Sequence, residues 1–243
     1  MAKKSNMFGL SAGQRNPFVG CGHDCIYCED TFKRQTKRRG KKNCPLCYYF
    51  EAHAHPERLK QGLPKTKYMQ FLFICCNGDI AFCRDTEYFH KIISWIQSNR
   101  DRTFLLQSKD PKTFNRIAAF PENLILGTTL ETNRDALYEG TSKAPRPSQR
   151  YRDFLEVKHD LKMVTMEPII DFDIDVMLSW LENINPCMVW LGYDSRKHHL
   201  PEPKLEKVKN LYWELGSRGF TVILKTIRKA WYENESPKAK QKL

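Results

Sequence analysis

No stretch of this 243-residue chain stays apolar for the roughly twenty residues that a bilayer-spanning helix needs. The first residues, Met-Ala-Lys-Lys-Ser-Asn-Met-Phe, are basic but lead into no apolar run of the kind a secretory signal carries. Together these absences predict a cytoplasmic protein without a membrane partner. Acidic residues are also scarce, with 28 Asp plus Glu against 40 Lys plus Arg and a net charge of +12. The excess makes polyanions the natural partners, nucleic acid first among them. Much of it lies in two segments, Lys33–Lys42 and Lys225–Lys242. With 41% apolar and 12% aromatic residues, the chain has the composition of a globular protein rather than a disordered one. No short-period repeat and no separate linker is visible, so residues 1–243 are expected to form one domain.

Cysteine is plentiful instead. There are nine, an odd and clustered set, which in a reducing compartment suits metal ligation better than a disulfide framework. Cys21, Cys25, Cys28, Cys44 and Cys47 come first, and Cys75, Cys76 and Cys83 form a second group. Cys187 stands alone and reads as a small apolar residue of a buried strand, a common place for free cysteine.

Beyond the first cysteines, short apolar runs alternate with amphipathic stretches. Runs at 68–76, 103–108, 124–130, 162–166, 187–191 and 220–224 predict six strands, and a further short one is possible at Asn16–Val19. Helices are predicted over 86–99, where Tyr88, Phe89, Ile92, Ile93 and Ile96 recur at helical spacing, and over 147–159, 173–181 and 203–217. Pro111 is placed to open another. Residues 139–150, with Pro145 and Pro147, read as a surface loop. Nearly continuous apolar strands separated by helices imply a parallel α/β sheet covered on both faces, either open or curled towards a barrel. In both forms ligands bind at the C-terminal ends of the strands.

The segment Asn16-Pro-Phe-Val-Gly-Cys21-Gly-His-Asp-Cys25-Ile-Tyr-Cys28 sets three thiols at C-x3-C-x2-C. Three thiolates on one loop can each take one iron of a cubane cluster and leave the fourth iron open. At these residues the chain resembles the radical S-adenosylmethionine (SAM) superfamily, whose signature is C-x3-C-x-aromatic-C, with Tyr27 in the aromatic place. The resemblance implies a partial (β/α)6-type TIM barrel with an N-terminal iron–sulfur cluster loop, in which Cys21, Cys25 and Cys28 hold a [4Fe–4S] cluster. It further implies reductive cleavage of SAM to a 5′-deoxyadenosyl radical that abstracts hydrogen from a substrate. A flavodoxin- or ferredoxin-like one-electron reductant is the implied partner. A nucleic-acid base, flipped out of its stack, is the candidate substrate that the charge favours, beside a small molecule or peptide.

Residues after successive strands are the expected cofactor contacts. Asn77-Gly78-Asp79 looks like a degenerate form of the superfamily's glycine-rich turn, with Asp79 facing the methionine ammonium. Ser108 and Lys109 follow the next strand, with Lys109 towards the SAM carboxylate. Thr129 and Glu131 share a face if alternation continues, and Glu167 ends the strand after that. Tyr193, Asp194 and Arg196 are candidates for substrate contact. The series is similar to a radical SAM group of phages and prokaryotes distantly related to spore photoproduct lyase, a thymine-dimer repair enzyme. The basic insertion at about 29–50 and the second cysteine pair depart from that group.

That pair supports a rival. Cys25, Cys28, Cys44 and Cys47 fit the spacing of a four-cysteine zinc ribbon that binds nucleic acid without catalysis, Arg38, Arg39, Lys41 and Lys42 serving as phosphate contacts. The ribbon leaves Cys21 without a role and has no need of the β/α region. Outside it, Cys44 and Cys47 suit a second metal, zinc or an auxiliary cluster. His53, His55 or the Cys75, Cys76 and Cys83 group would complete that set, and the sequence leaves the choice open.

Overall fold

A computed structural model describes residues 9–28, 33–196 and 198–234. Expectations for residues 29–32, and for the basic tail beyond 234, fall outside the described residues. Strands β1 (Ser11–Arg15) and β2 (Phe18–Val19) precede the cysteine loop, and α1 (Arg34–Gly40), α2 (Pro45–Tyr49) and β3 (His53–Ala54) follow it. There follow β4 (Phe71–Ile74), α3 (Thr86–Ser98), β5 (Phe104–Gln107), β6 (Leu124–Thr129), α4 (Asp135–Tyr138), α5 (Pro147–Glu156), β7 (Lys162–Met166), α6 (Ile174–Ile184), β8 (Met188–Leu191), α7 (Leu205–Ser217) and β9 (Val222–Leu224).

Seven strands form one sheet in the order β1-β4-β5-β6-β7-β8-β9, each neighbouring pair parallel. The sheet is open at β1 and β9, so the fold is a partial TIM barrel. Alternation along each strand divides its side chains between two apolar layers. Leu72, Ile74, Leu106, Leu126, Val164 and Leu191 pack outward under the helices. Phe71, Phe73, Leu105, Ile125, Met163 and Trp190 form the other layer. Each fully buried Leu or Phe contributes about 1.5–3 kcal/mol relative to exposure, so the sheet is a rigid base for its strand ends.

Helix boundaries follow local chemistry. Asp85 caps α3 by accepting the Tyr88 N–H at 2.9 Å, and all five apolar residues expected on its inner face are buried. Pro147 occupies the first turn of α5, where its missing N–H costs nothing. Asn185, at φ +49°, ends α6 in the left-handed region that asparagine tolerates.

Several expectations are corrected. The strand beside β4 is Ser11–Arg15, a polar stretch ahead of the one expected at Asn16–Val19. Phe18–Val19 instead pairs antiparallel with β3 in a separate two-stranded ribbon. Pro111 opens a 3-10 turn, Pro111–Arg116, rather than an α-helix. Part of the charged insertion is helical, because Arg34–Gly40 contains no β-branched run and Gly40 lies close against Cys47 of α2. Cys187 lies one residue before β8 and is exposed rather than buried. Residues 147–150 belong to α5, and the loop ahead of them rests on the cysteine loop instead of standing free.

Candidate active site

Two glycines bring the cysteine loop onto the sheet. Gly20, at φ +92°, forms a bridge with Gly78 in the turn after β4. The Gly20 N–H donates to Asn77 O, and the Asp79 N–H donates to Gly20 O, both at 3.1 Å. A Cβ on Gly78 would lie 2.6 Å from the Gly20 carbonyl oxygen, so glycine at 78 allows two backbones to cross. Asn77 is tied to the same crossing, its N–H donating to Asn16 Oδ1 at 3.0 Å. Gly78→Ala is therefore expected to destabilise the protein by about 1–3 kcal/mol, the usual cost of overpacking. Urea unfolding beside wild type measures this, and a difference within about 0.5 kcal/mol would show that the crossing opens freely.

Asp79 is the hub beneath the loop. Its carboxylate faces His23 Nε2 at 3.0 Å and accepts from Ser108 Oγ at 2.6 Å, the Lys109 N–H at 2.8 Å and the Ala81 N–H at 3.0 Å. Burial alone would raise its pKa, but the bonds from His23 and Ser108 outweigh burial and hold it below the usual carboxylate range. His23, inside the first cysteine spacing, thus anchors the loop to the end of β4.

A second anchor comes from the loop between α4 and α5. Ser142 Oγ lies 3.0 Å from both Cys25 Sγ and the His23 carbonyl oxygen. Ile26 N–H donates to Thr141 O at 3.0 Å, and Lys143 N–H to His23 O at 2.6 Å.

Under the third cysteine lies a buried charge cluster. Glu131, just past β6, is 0% exposed and accepts from the Tyr27 hydroxyl at 2.6 Å. Lys109 Nζ pairs with the same Glu131 oxygen and lies over the Tyr27 ring. Arg150 of α5, also 0% exposed, ion-pairs with the other oxygen at 2.7 Å. Burial pushes Glu131 up, but Arg150 and Lys109 bring it down to about 2. Tyr27, Lys109 and Glu131 therefore meet as one unit.

The thiols differ among themselves. Burial and then Asp79 push Cys21 up to about 12. Cys25 is held down to about 5 by a hydrogen bond from Cys28, with Lys109 and Ser142 helping against burial, while Cys28 is raised. The loop thus holds its thiols within the field of a buried lysine, Lys109. Three soft donors on one loop, beside the cation of Lys109, fit an iron–sulfur cluster.

The sheet continues the site. Gly127 leaves room for Gln107 to pass, and Gln107 Nε2 donates to Thr129 Oγ1 at 2.8 Å and Thr165 Oγ1 at 2.9 Å. Gln107 Oε1 is buried without a hydrogen-bond partner among the described residues. Glu167 pairs with Lys225 after β9 at 2.7 Å, and burial raises its pKa despite that lysine.

Tyr193 is wholly buried and donates to Pro203 O at 3.0 Å. Asp194 accepts from the N–H groups of Arg196 and His198 at 3.1 and 3.0 Å. Cys75 and Cys83 belong to the outer apolar layer, and Cys76 donates to Gln14 Oε1 at 2.6 Å. Cys44 and Cys47 meet His53 and His55, all four ligand atoms lying within 4.8 Å of one another. Sequence reasoning missed His23, Ser142, Arg150 and Lys225 as site residues. His23 alone carried a local signal, its place between two cysteines; the other three come from distant segments.

No family model matches the sequence, and neither does any curated protein. Solved structures do. The crystal structure of Streptococcus suis SuiB is similar over 90% of this chain and 49% of that one, with 11% identity and a TM-score of 0.53. SuiB bound to S-adenosylmethionine covers 94% and 54%, with 12% identity and a TM-score of 0.53. SuiB bound to the precursor peptide SuiA covers 90% and 49%, with 11% identity and a TM-score of 0.54. The two proteins share a fold, and this chain spans about half the length of SuiB.

Proposed function

We propose that this protein is a radical SAM enzyme, one domain with a basic cysteine-containing insertion, whose cluster is held by Cys21, Cys25 and Cys28. The observation that carries the reading is the cysteine loop itself, anchored at the strand ends through Asp79 and Glu131. Its fold is that of a protein crystallised with SAM. When bound, the cluster and SAM supply reductive cleavage of the sulfur–C5′ bond and a 5′-deoxyadenosyl radical that takes hydrogen from substrate.

The chain's own residues position and shield that chemistry. Asp79 is filled by partners within the chain and Glu131 is engaged by Tyr27, Lys109 and Arg150, so they position the loop through His23 and Tyr27. Asn77, Gly78 and Ser108 hold the same crossing together. Lys109 favours the ionised form of Cys25 and presents a cation to the SAM carboxylate. Thr129, Gln107 and Glu167 form the adjoining polar wall. Gln107 Oε1 offers an acceptor to a donor on the ligand, and Glu167 offers a carboxylate to the methionine ammonium. The sheet's apolar layers exclude water beneath.

For the substrate we assign a nucleic-acid base. Arg34, Lys37, Arg38, Lys41 and Lys42 are exposed on and just after α1, in a chain of net charge +12. A flavodoxin- or ferredoxin-like protein would supply the electron.

Anaerobic reconstitution with iron and sulfide should give brown protein that releases 5′-deoxyadenosine from SAM after dithionite. A colourless, iron-free product that leaves SAM intact would overturn the assignment. Binding to single-stranded oligonucleotides should weaken steeply with salt, as counterion release requires. Salt-independent binding, or turnover of peptides alone, would remove the substrate reading.

A further inference from the structure

Cys44, Cys47, His53 and His55 stand apart from the cysteine triad. Their four ligand atoms all lie within 4.8 Å of one another. His53 Nε2 is 3.3 Å from Cys44 Sγ and 3.4 Å from Cys47 Sγ, and His55 Nε2 is 3.2 Å from Cys47 Sγ. A tetrahedral zinc with ordinary Zn–S and Zn–N bonds sets each sulfur–nitrogen edge at about 3.6 Å. The three measured edges are each slightly shorter than that, and none of the four atoms lies more than 4.8 Å from another.

The groups behind the ligands point the same way. His53 Nδ1 lies 2.7 Å from the Glu51 carbonyl oxygen, and His55 Nδ1 lies 2.8 Å from Glu57 Oε1. Each contact puts the ring proton on Nδ1 and turns the Nε2 lone pair towards the sulfurs, as the outer partners of zinc-bound histidine do. Cys44 Sγ also accepts the Cys47 N–H at 3.3 Å, a bond suited to a thiolate.

We propose that Cys44, Cys47, His53 and His55 bind one structural Zn2+. The set is closed, with four protein donors, two thiolates and two neutral imidazoles, which cancels the charge of the ion. An auxiliary cluster does not suit it. In a two-iron cluster with two histidine and two cysteine ligands, the imidazoles and thiolates sit on different irons. Here His53 Nε2 is in contact distance of both sulfurs.

The ion would tie α2 to β3. That strand pairs with β2, placing His53 opposite Val19, and the His55 N–H donates to Pro17 O at 2.6 Å. A Cβ on Gly20 would lie 2.1 Å from the Glu51 carbonyl oxygen, so the chain between the ligand pairs lies directly against the residue before Cys21. Zinc at this place fixes the entry to the cysteine loop.

Elemental analysis of the full chain, after dialysis against a mild chelator, tests the proposal. About one zinc per chain is expected. It should persist in a Cys21→Ala, Cys25→Ala, Cys28→Ala variant that carries no iron, and fall to near zero in His53→Ala. Should His53→Ala fail to fold, cobalt exchanged into the wild-type chain gives an independent reading: intense tetrahedral d–d bands with thiolate-to-cobalt charge transfer. Wild type without zinc, iron that follows Cys44 and Cys47 rather than the triad, or a six-coordinate cobalt spectrum would each overturn it. Zinc retained by the triad variant separates this site from the SAM-cleaving assignment, which fails or stands on 5′-deoxyadenosine release alone.

Discussion

Cys21→Ala is expected to reduce 5′-deoxyadenosine release to the level of protein without iron. Three thiolates would hold three irons of the proposed cluster, and two would leave a second iron uncapped, so the cubane would be lost rather than weakened. Cys21 is the most informative of the three to replace. It is only partly buried, and among the described residues its sulfur accepts the His23 N–H at 3.4 Å. Cys25 is buried against Ser142, so its removal perturbs packing as well. The Cys21 variant should therefore unfold near the wild-type denaturant midpoint while its iron content and broad visible absorption fall away. Cys187→Ala, at an exposed position before β8, should change neither iron content nor SAM cleavage. Retained cleavage in Cys21→Ala would show that the triad is not the cluster site.

The strand positions were legible because parallel strands buried on both faces read as continuous apolar runs. Lys162–Met166 matches the expected limits, and Phe71–Ile74 lies inside its run, trimmed where Asn77-Gly78 turns the chain. Helix α3 was legible for the complementary reason, five buried side chains at helical spacing. Edge strand β1 was not. Ser-Ala-Gly-Gln-Arg carries no apolar signal, and it becomes a strand through its ladder with β4. Helix α1 was hidden likewise, since a run of exposed charge has no face to reveal its period.

In the candidate site, what could be read locally was the spacing of the three thiols and the acids that follow strands. What each acid does depends on partners brought by the fold. Asp79 looked like a ligand contact and is filled by His23, Ser108 and two backbone N–H groups. His53 and His55 were eligible ligands for Cys44 and Cys47, but so was the Cys75, Cys76 and Cys83 group. The left-handed turn at Phe50 that ends α2 folds the chain back and brings the histidines to the second cysteine pair. Arg150 was the least legible. It lies in a helix whose sequence promises only an amphipathic face, yet it reaches beneath the sheet's end to Glu131.

That contact leads to the largest expected effect on stability. Glu131→Gln keeps the shape of the side chain and removes its charge, leaving the cations of Lys109 and Arg150 without their counter-ion in a largely buried site. Breaking a buried pair from one side costs about 3–5 kcal/mol, because the remaining charge is uncompensated. Glu182→Gln, which breaks the exposed pair with Arg218, should cost about 0–1 kcal/mol. The pH dependence gives a second signature. The folded pKa of Glu131 is lowered to about 2, so its contribution is complete above the ordinary carboxylate pKa of about 4.5 and is lost as pH falls through about 2. Urea unfolding should therefore show a wide gap between wild type and Glu131→Gln at neutral pH, narrowing as the solution is acidified below about pH 4.5. A gap under about 1 kcal/mol at neutral pH, or one that acid leaves unchanged, would mean that Glu131 is not the charge that binds Lys109 and Arg150 beneath the cysteine loop.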